Sequence, residues 1–130
     1  MARSPAASAG ARLAPLLLFL GVTALYLPAV GNGFVYDDHE VIRAQPRPSR
    51  PADLLRVFAE PHFRGLPYYR PVTRATLLGQ KALHGDRPAP FHVANALIAG
   101  ALAVAAYGLL RAPALALPPG LAALGAALLA

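Results

Sequence analysis

Apolar positions in this chain come in unbroken blocks; they neither alternate nor recur once per helical turn. Leu13 to Val30 carries no charge, and the uncharged run continues to Tyr36. A second charge-free block extends from Phe91 to Leu110, and a third opens at Leu121 and is still running at Ala130. The eighteen residues from Leu13 to Val30 span roughly 27 Å at helical rise, close to the thickness of a hydrocarbon core. A soluble domain would confine its apolar residues to one face of each element. The pattern therefore predicts an all-α integral membrane protein. We expect a leader over 1–12, two complete transmembrane helices over 13–36 and 91–110, a short connection over 111–120, and the start of a third span over 121–130. Pro15 is expected in the first turn of the first span, where its missing N–H does no harm, and Pro118-Pro119-Gly120 is expected to turn the chain. A cleaved signal peptide, with small residues at Ala29 and Gly31, is the competing reading of the first block. The two later blocks favour an anchor.

Between the spans, residues 37–90 hold all six acidic residues and nine of the twelve basic ones. Gln45 to Pro51 (QPRPSRP) is broken by prolines and cannot be helical throughout. Ser49 could cap a short helix from Pro51 to Glu60, with Leu54, Leu55, Val57 and Phe58 as its apolar side. A second helix is expected from Pro71 to Gly85, with Val72, Ala75, Leu78, Ala82 and Leu83 on one side and Arg74 and Lys81 pointing elsewhere. Both read as amphipathic helices lying on a membrane surface. A small soluble subdomain is the alternative, opposed by how few large apolar residues the loop has.

Composition narrows the chemistry. The chain has no Cys, which removes disulfides, thiol catalysis and sulfur-ligated metals. Its net charge of +6 suits an anionic membrane surface or a phosphate-bearing partner. Nucleic acid is a poor partner, because no basic run with interleaved aromatics is present. The charge count also bears on topology: nine basic residues in the loop against two in the leader would place the loop in the cytoplasm.

Four features could carry chemistry: the pair Asp37-Asp38, the run Tyr68-Tyr69-Arg70-Pro71, Arg74, and His92 with Asn95 at the start of the second span. If both spans cross the bilayer, the two ends of the loop share one side and these groups can meet at one membrane entrance. A carboxylate there can act as general base on a hydroxyl, and an arginine offers a planar fork to phosphate oxygens. Each feature also has a plain reading. Paired aspartates mark a solvated interface, Tyr-Arg-Pro is an aromatic belt before a helix, and His92 and Asn95 bond a neighbouring helix. No cofactor is required. A divalent metal could be held by at most one or two of Asp37, Asp38, His39 and Glu40, since sequential residues cannot all face one ion.

Taken together and in order, Asn-Gly-Phe-Val-Tyr-Asp-Asp after span one, Tyr-Arg-Pro-Val-x-Arg in the loop, and Phe-His-x-x-Asn entering span two resemble a known family. The chain is similar over residues 13–130 to the N-terminal region of the GT-C superfamily of multi-span glycosyltransferases. Within it, the resemblance is to protein O-mannosyltransferases that carry a C-terminal array of tetratricopeptide repeats, bacterial relatives included. It implies a fragment of a GT-C-like fold that uses a polyprenyl-phosphate sugar donor and a protein or glycan hydroxyl acceptor. Asp37 or Asp38, Asp37 first, would be the catalytic carboxylate. Arg70 and Arg74 would approach the donor phosphate, and Tyr69, His92 and Asn95 would line the pocket. Ala99 departs from the family, where relatives often carry a second His one turn after the Asn. The resemblance also implies a cytoplasmic N-terminus and an extracytoplasmic loop over 37–90, in a bacterial inner or endoplasmic-reticulum membrane, against the charge count. With two spans and a fraction, the pocket cannot be completed, so we expect an N-terminal piece that is inactive alone. The alternative from another class is a non-catalytic membrane anchor whose basic loop binds anionic lipid or protein partners.

Overall fold

The computed structural model describes residues 5–63, 65 and 67–130. Among them the regular elements are all helical: α1 (Pro5–Tyr26), α2 (Pro51–Leu55), α3 (Pro71–His84), α4 (Pro88–Leu110) and α5 (Pro119–Leu129). Short 3₁₀ turns occupy Leu27–Gly31 and Arg56–Phe58, and a π turn occupies His39–Arg43. The chain divides into two compact units, one built from α1, most of α4 and α5, the other from Val30–Phe91.

Two helical stretches are long and apolar enough to cross a bilayer: Leu13–Gly31, with mean hydropathy 2.1, and Pro88–Leu110, with 2.0. Only 6 % of the first and 22 % of the second is buried within the protein. The core helix of a soluble domain hides most of its apolar surface, whereas here Leu16, Leu17, Leu20, Leu97, Ile98 and Leu102 are exposed. Such a surface promotes association in water and matches lipid well.

Helix α1 starts at Pro5, inside the segment expected to be a leader, of which residues 1–4 lie outside the described residues. Pro15 is consequently interior to the helix, which corrects the expectation that it sits in the first turn. The Ala-rich stretch before it is a strong helix former and carries the helix back past the proline. Within this unit α4 and α5 form a hairpin whose turn lies at 111–117, earlier than Pro118-Pro119-Gly120. Arg111 Nη1 donates to the Leu117 carbonyl at 2.6 Å, the Leu117 N–H donates to the Leu110 carbonyl at 3.1 Å, and Ala116 adopts a φ of 45°. Pro119 then opens α5, where a missing N–H leaves nothing unsatisfied.

Small residues make the helix contacts. Ala96, Gly100, Ala103 and Tyr107 are buried along α4, and Tyr107 packs with Ala122 and Ala126 against Ala14 and Leu18. Apolar helices in lipid gain little from burial itself and associate through close backbone approach. At Gly100 an added Cβ would lie 2.8 Å from the Phe19 carbonyl oxygen and closer still to Thr23 Oγ1. We therefore expect Gly100→Ala to push α1 from α4 and cost about 1–3 kcal/mol. Thermal unfolding in detergent checks this, with Gly108→Ala as control because its Cβ meets nothing within 4 Å. Equal stability of the two variants would refute the close approach.

The Val30–Phe91 unit has a core of Val41, Ile42 and Phe91, with Phe34, Phe63 and Leu77 packed on it. Phe34 meets Phe91 edge-to-face at 5.3 Å. The π turn, closed by the Ala44 N–H on the His39 carbonyl at 2.9 Å, is what turns Val41 and Ile42 into that core. Helix α2 is shorter than expected, passing into the 3₁₀ turn at Arg56. Its N-terminus is capped from within. Asp53 Oδ2 accepts the Ser49 N–H, the Ser49 hydroxyl and the Arg50 N–H at 3.0–3.2 Å, so Ser49 is a donor to the cap rather than the cap itself. Those backbone N–H bonds favour the ionised form and hold the Asp53 carboxyl below its usual value.

Helix α3 starts at Pro71, as the sequence predicts, and ends before Gly85, whose φ of 66° and ψ of −140° lie outside the left-handed helical cap expected there. Its buried stripe differs from the predicted one. Arg74, Leu78 and Lys81 face inward, while Val72 and Leu83 are exposed. The correction has a physical cause: a loop poor in large apolar residues fills its interior with long aliphatic stems, provided their charged ends find partners. Lys81 Nζ donates to the Ile42 carbonyl at 2.7 Å, the Arg43 carbonyl at 3.1 Å and Asp86 Oδ1 at 2.8 Å. All three donors of the ammonium are used. Arg74 donates through Nη1 to the Pro61 carbonyl at 2.8 Å and through Nη2 to Glu60 Oε2 at 3.0 Å.

Candidate functional site

Three segments of the Val30–Phe91 unit carry the candidate residues: the turn at Val35–Asp38, the stretch around His62 to Arg70, and the first turns of α3. The turn separates the two aspartates by role. Asp38 donates its N–H to the Val35 carbonyl at 3.0 Å and accepts the Val35 N–H on Oδ2 at 3.1 Å. This reciprocal closure holds Tyr36 at a φ of 43°, a left-handed conformation that a bulky residue adopts only when its surroundings demand it. Asp37, at the outer side of the same turn, is exposed and accepts no hydrogen bond from the described residues.

The arginines divide in the same way. Arg70 precedes α3 with extended φ of −136°, so it does not share a helical face with Arg74, although its carbonyl accepts the Arg74 N–H at 3.0 Å. Its exposed guanidinium lies 5.8 Å from the centre of the Tyr68 ring and forms no ion pair with the described residues. Arg74 is buried and spent on Glu60 and Pro61, and its Nε is buried with no partner among the described residues. Tyr69 donates its hydroxyl to the Phe58 carbonyl at 2.8 Å, tying the aromatic run to the end of the 3₁₀ turn.

The residue on which these charges act is His62, which the motif reading passed over. It is buried, its N–H donates to the Tyr68 carbonyl at 2.6 Å, and its ring packs edge-to-face on Phe63. Nδ1 is buried without a partner among the described residues. Burial is the main cause that lowers its pKa below 6.5; the charges of Arg70 and Arg74 add to this, while Asp37 and Glu40 oppose it. Asp37, Arg70 and Arg74 are therefore within electrostatic reach of one imidazole. A histidine between a proline and a phenylalanine, just before Tyr-Tyr-Arg, is the signal that could have exposed it.

The sequence matches no family model, no curated protein and no solved structure. The site rests on its own geometry.

A pH effect follows from His62. Above pH 6.5 the ring is neutral in the folded and unfolded chains alike. Between 6.5 and its lowered folded value, the unfolded chain binds a proton that the folded chain rejects, so stability is lost as the pH is lowered through that window and then levels off. Urea unfolding at pH 7.5 and 5.0 should show this loss, and His62→Gln should reduce it. An identical pH dependence in the variant would refute the assignment.

His92 and Asn95 lie on α4 in the helical unit. His92 Nε2 is buried with no partner among the described residues, and Asn95 is exposed. Among the described residues no three His, Asp or Glu side chains come together as a metal-binding group.

Proposed function

We propose that the chain is part of a membrane glycosyltransferase, inserted through Leu13–Gly31 and Pro88–Leu110, that moves a sugar from a polyprenyl-phosphate donor to a protein or glycan hydroxyl. Residues 37–90 lie on the extracytoplasmic side and the N-terminus in the cytoplasm. Asp37 takes the proton of the acceptor hydroxyl as its oxygen attacks the anomeric carbon; the bond from that carbon to the phosphate oxygen breaks, and polyprenyl phosphate leaves with the electron pair. Arg70 holds the donor phosphate. Asp38 positions Asp37 by closing the turn, and Arg74 braces the loop through Glu60 and Pro61. The observation that carries the reading is that, among the described residues, the exposed Asp37 carboxylate accepts no hydrogen bond and the exposed Arg70 guanidinium forms no ion pair, while the charges of both act on the His62 imidazole. Groups of opposite charge left without side-chain partners suit proton removal and phosphate binding, whereas groups kept for structure are usually paired.

The test is sugar transfer from a polyprenyl-phosphate donor in membranes containing the full-length protein, comparing wild type with Asp37→Asn and Asp38→Asn. Full activity in both variants rejects the reading. A second reading, a non-catalytic anchor whose loop rests on anionic lipid, draws on the exposed Leu55, Phe58, Tyr68, Val72 and Leu83 of the same unit. It requires salt-sensitive vesicle binding to which Asp37 and Asp38 are dispensable.

A further inference from the structure

The Gln45–Arg50 connector, which the transfer reading leaves unused, forms one wall of a cavity of about 400 Å³ whose other walls come from α2, the 3₁₀ turn after it, and α3. Arg47, Arg50, Arg56 and Arg74 line it, against two carboxylates, Asp53 and Glu60. The partners of these groups settle which charges are uncompensated. Arg74 is paired with Glu60 at 3.0 Å, and Arg50 faces Asp53 at 3.6 Å. Arg47 is held by Nε and Nη2 on the Ala82 carbonyl, at 3.2 and 2.8 Å, which fixes its position and leaves its charge unneutralised. Arg56 is exposed, and its guanidinium makes no hydrogen bond or ion pair with the described residues. Two positive charges thus remain in a preformed hollow.

The walls are rigid for local reasons. Pro46, Pro48 and Pro51 restrict φ through the connector. Asp53 ties down Ser49 and Arg50, and Val57, fully buried, lines the cavity together with Leu78. An arginine held in advance loses little freedom when it meets an anion, and a guanidinium fork matches phosphate oxygens. A cavity of this volume has room for more than a bare phosphate ion.

We propose that this cavity is a binding site for a phosphate ester with a small polar body, recognised by Arg56 and Arg47. The same chemistry occurs in a soluble glycerol or sugar phosphate and in the headgroup of an anionic phospholipid. Arg56 and Arg47 take no part in the proposed transfer chemistry, although Arg74 and Glu60 border both sites, and the test reads binding alone, so that failure of one leaves the other standing.

Purified full-length protein in detergent is titrated with glycerol 3-phosphate by calorimetry, and in parallel its binding to phosphatidylglycerol vesicles is measured against phosphatidylcholine vesicles. Wild type should bind saturably and more weakly as salt rises. Arg56→Ala should weaken binding roughly tenfold or more, because it removes a charged hydrogen-bonding partner. Arg47→Lys, which keeps the charge and loses the two bonds to Ala82, should weaken it less. Arg56-dependent binding of glycerol 3-phosphate supports the site with a soluble ligand; Arg56-dependent binding of vesicles alone supports it with a lipid ligand. Failure to bind either probe, or binding unchanged in Arg56→Ala, overturns the proposal.

Discussion

Lys81→Met should destabilise the Val30–Phe91 unit by about 2–4 kcal/mol, measured as a lower urea midpoint with an unchanged slope. Methionine replaces the aliphatic stem of Lys81 and so keeps most of its packing. What it removes is the ammonium, which joins the Ile42 and Arg43 carbonyls at the end of the π turn to Asp86 just beyond α3. Asp86 is half exposed and can turn to water. The Ile42 carbonyl is closed in by the same packing that buries Lys81 and keeps one further donor, the Gln45 N–H at 3.2 Å, whereas Arg43 is exposed and its carbonyl can turn to water. The cost therefore falls mainly on the buried Ile42 carbonyl and on the π turn that Lys81 holds to α3. Amide exchange at Val41 and Ile42 should accelerate with the loss of stability. Lys81→Arg, charged and too large, should fall between the two. A change of less than about 0.5 kcal/mol in Lys81→Met would mean that the ammonium only balances its own desolvation.

The second large effect is on chemistry. In the transfer reaction proposed above, Asp37→Asn should lower turnover by about 10²- to 10⁴-fold, the range associated with loss of a general base, with donor affinity little changed. Because Asp37 is exposed and unbonded, the amide should leave the urea midpoint where it was, which separates lost chemistry from lost folding. Asp38→Asn retains a side-chain oxygen to accept the Val35 N–H and should keep most activity. Asp38→Ala should lose more, because the Val35 N–H is then without its side-chain acceptor and the turn around Tyr36 is closed by backbone bonds alone. Equal losses in Asp37→Asn and Asp38→Asn would show that the carboxylates act as a charge pair, and no loss in either would remove the base altogether.

Much of the chain's plan was legible in its residues because it depends on short stretches. Charge-free blocks of spanning length locate α1 and α4, and proline followed at a distance by glycine brackets α3. Other features could not be read this way. The inward stripe of Arg74, Leu78 and Lys81 contradicts the local hydropathy of α3, since it depends on carbonyls supplied by Ile42, Arg43 and Pro61, remote in sequence. The π turn has no sequence signature of its own and exists because it buries Val41 and Ile42. Within the candidate site, the residue types at Asp37, Arg70 and Arg74 pointed to carboxylate and phosphate chemistry. Which of them are free depended on who bonds Asp38 and Arg74, and that no spacing reveals.

By itself the sequence determined that the chain is helical and that two of its helices can match a bilayer, because helix propensity and hydropathy are sums over neighbouring residues. Only the tertiary structure decided that Asp38 and Arg74 are occupied while Asp37 and Arg70 are without side-chain partners among the described residues, that His62 is buried where their charges reach it, and that four arginines of the loop line a cavity. Those outcomes depend on desolvation and on hydrogen-bond partners brought together across the fold, and a buried charge is placed wherever such partners can be found.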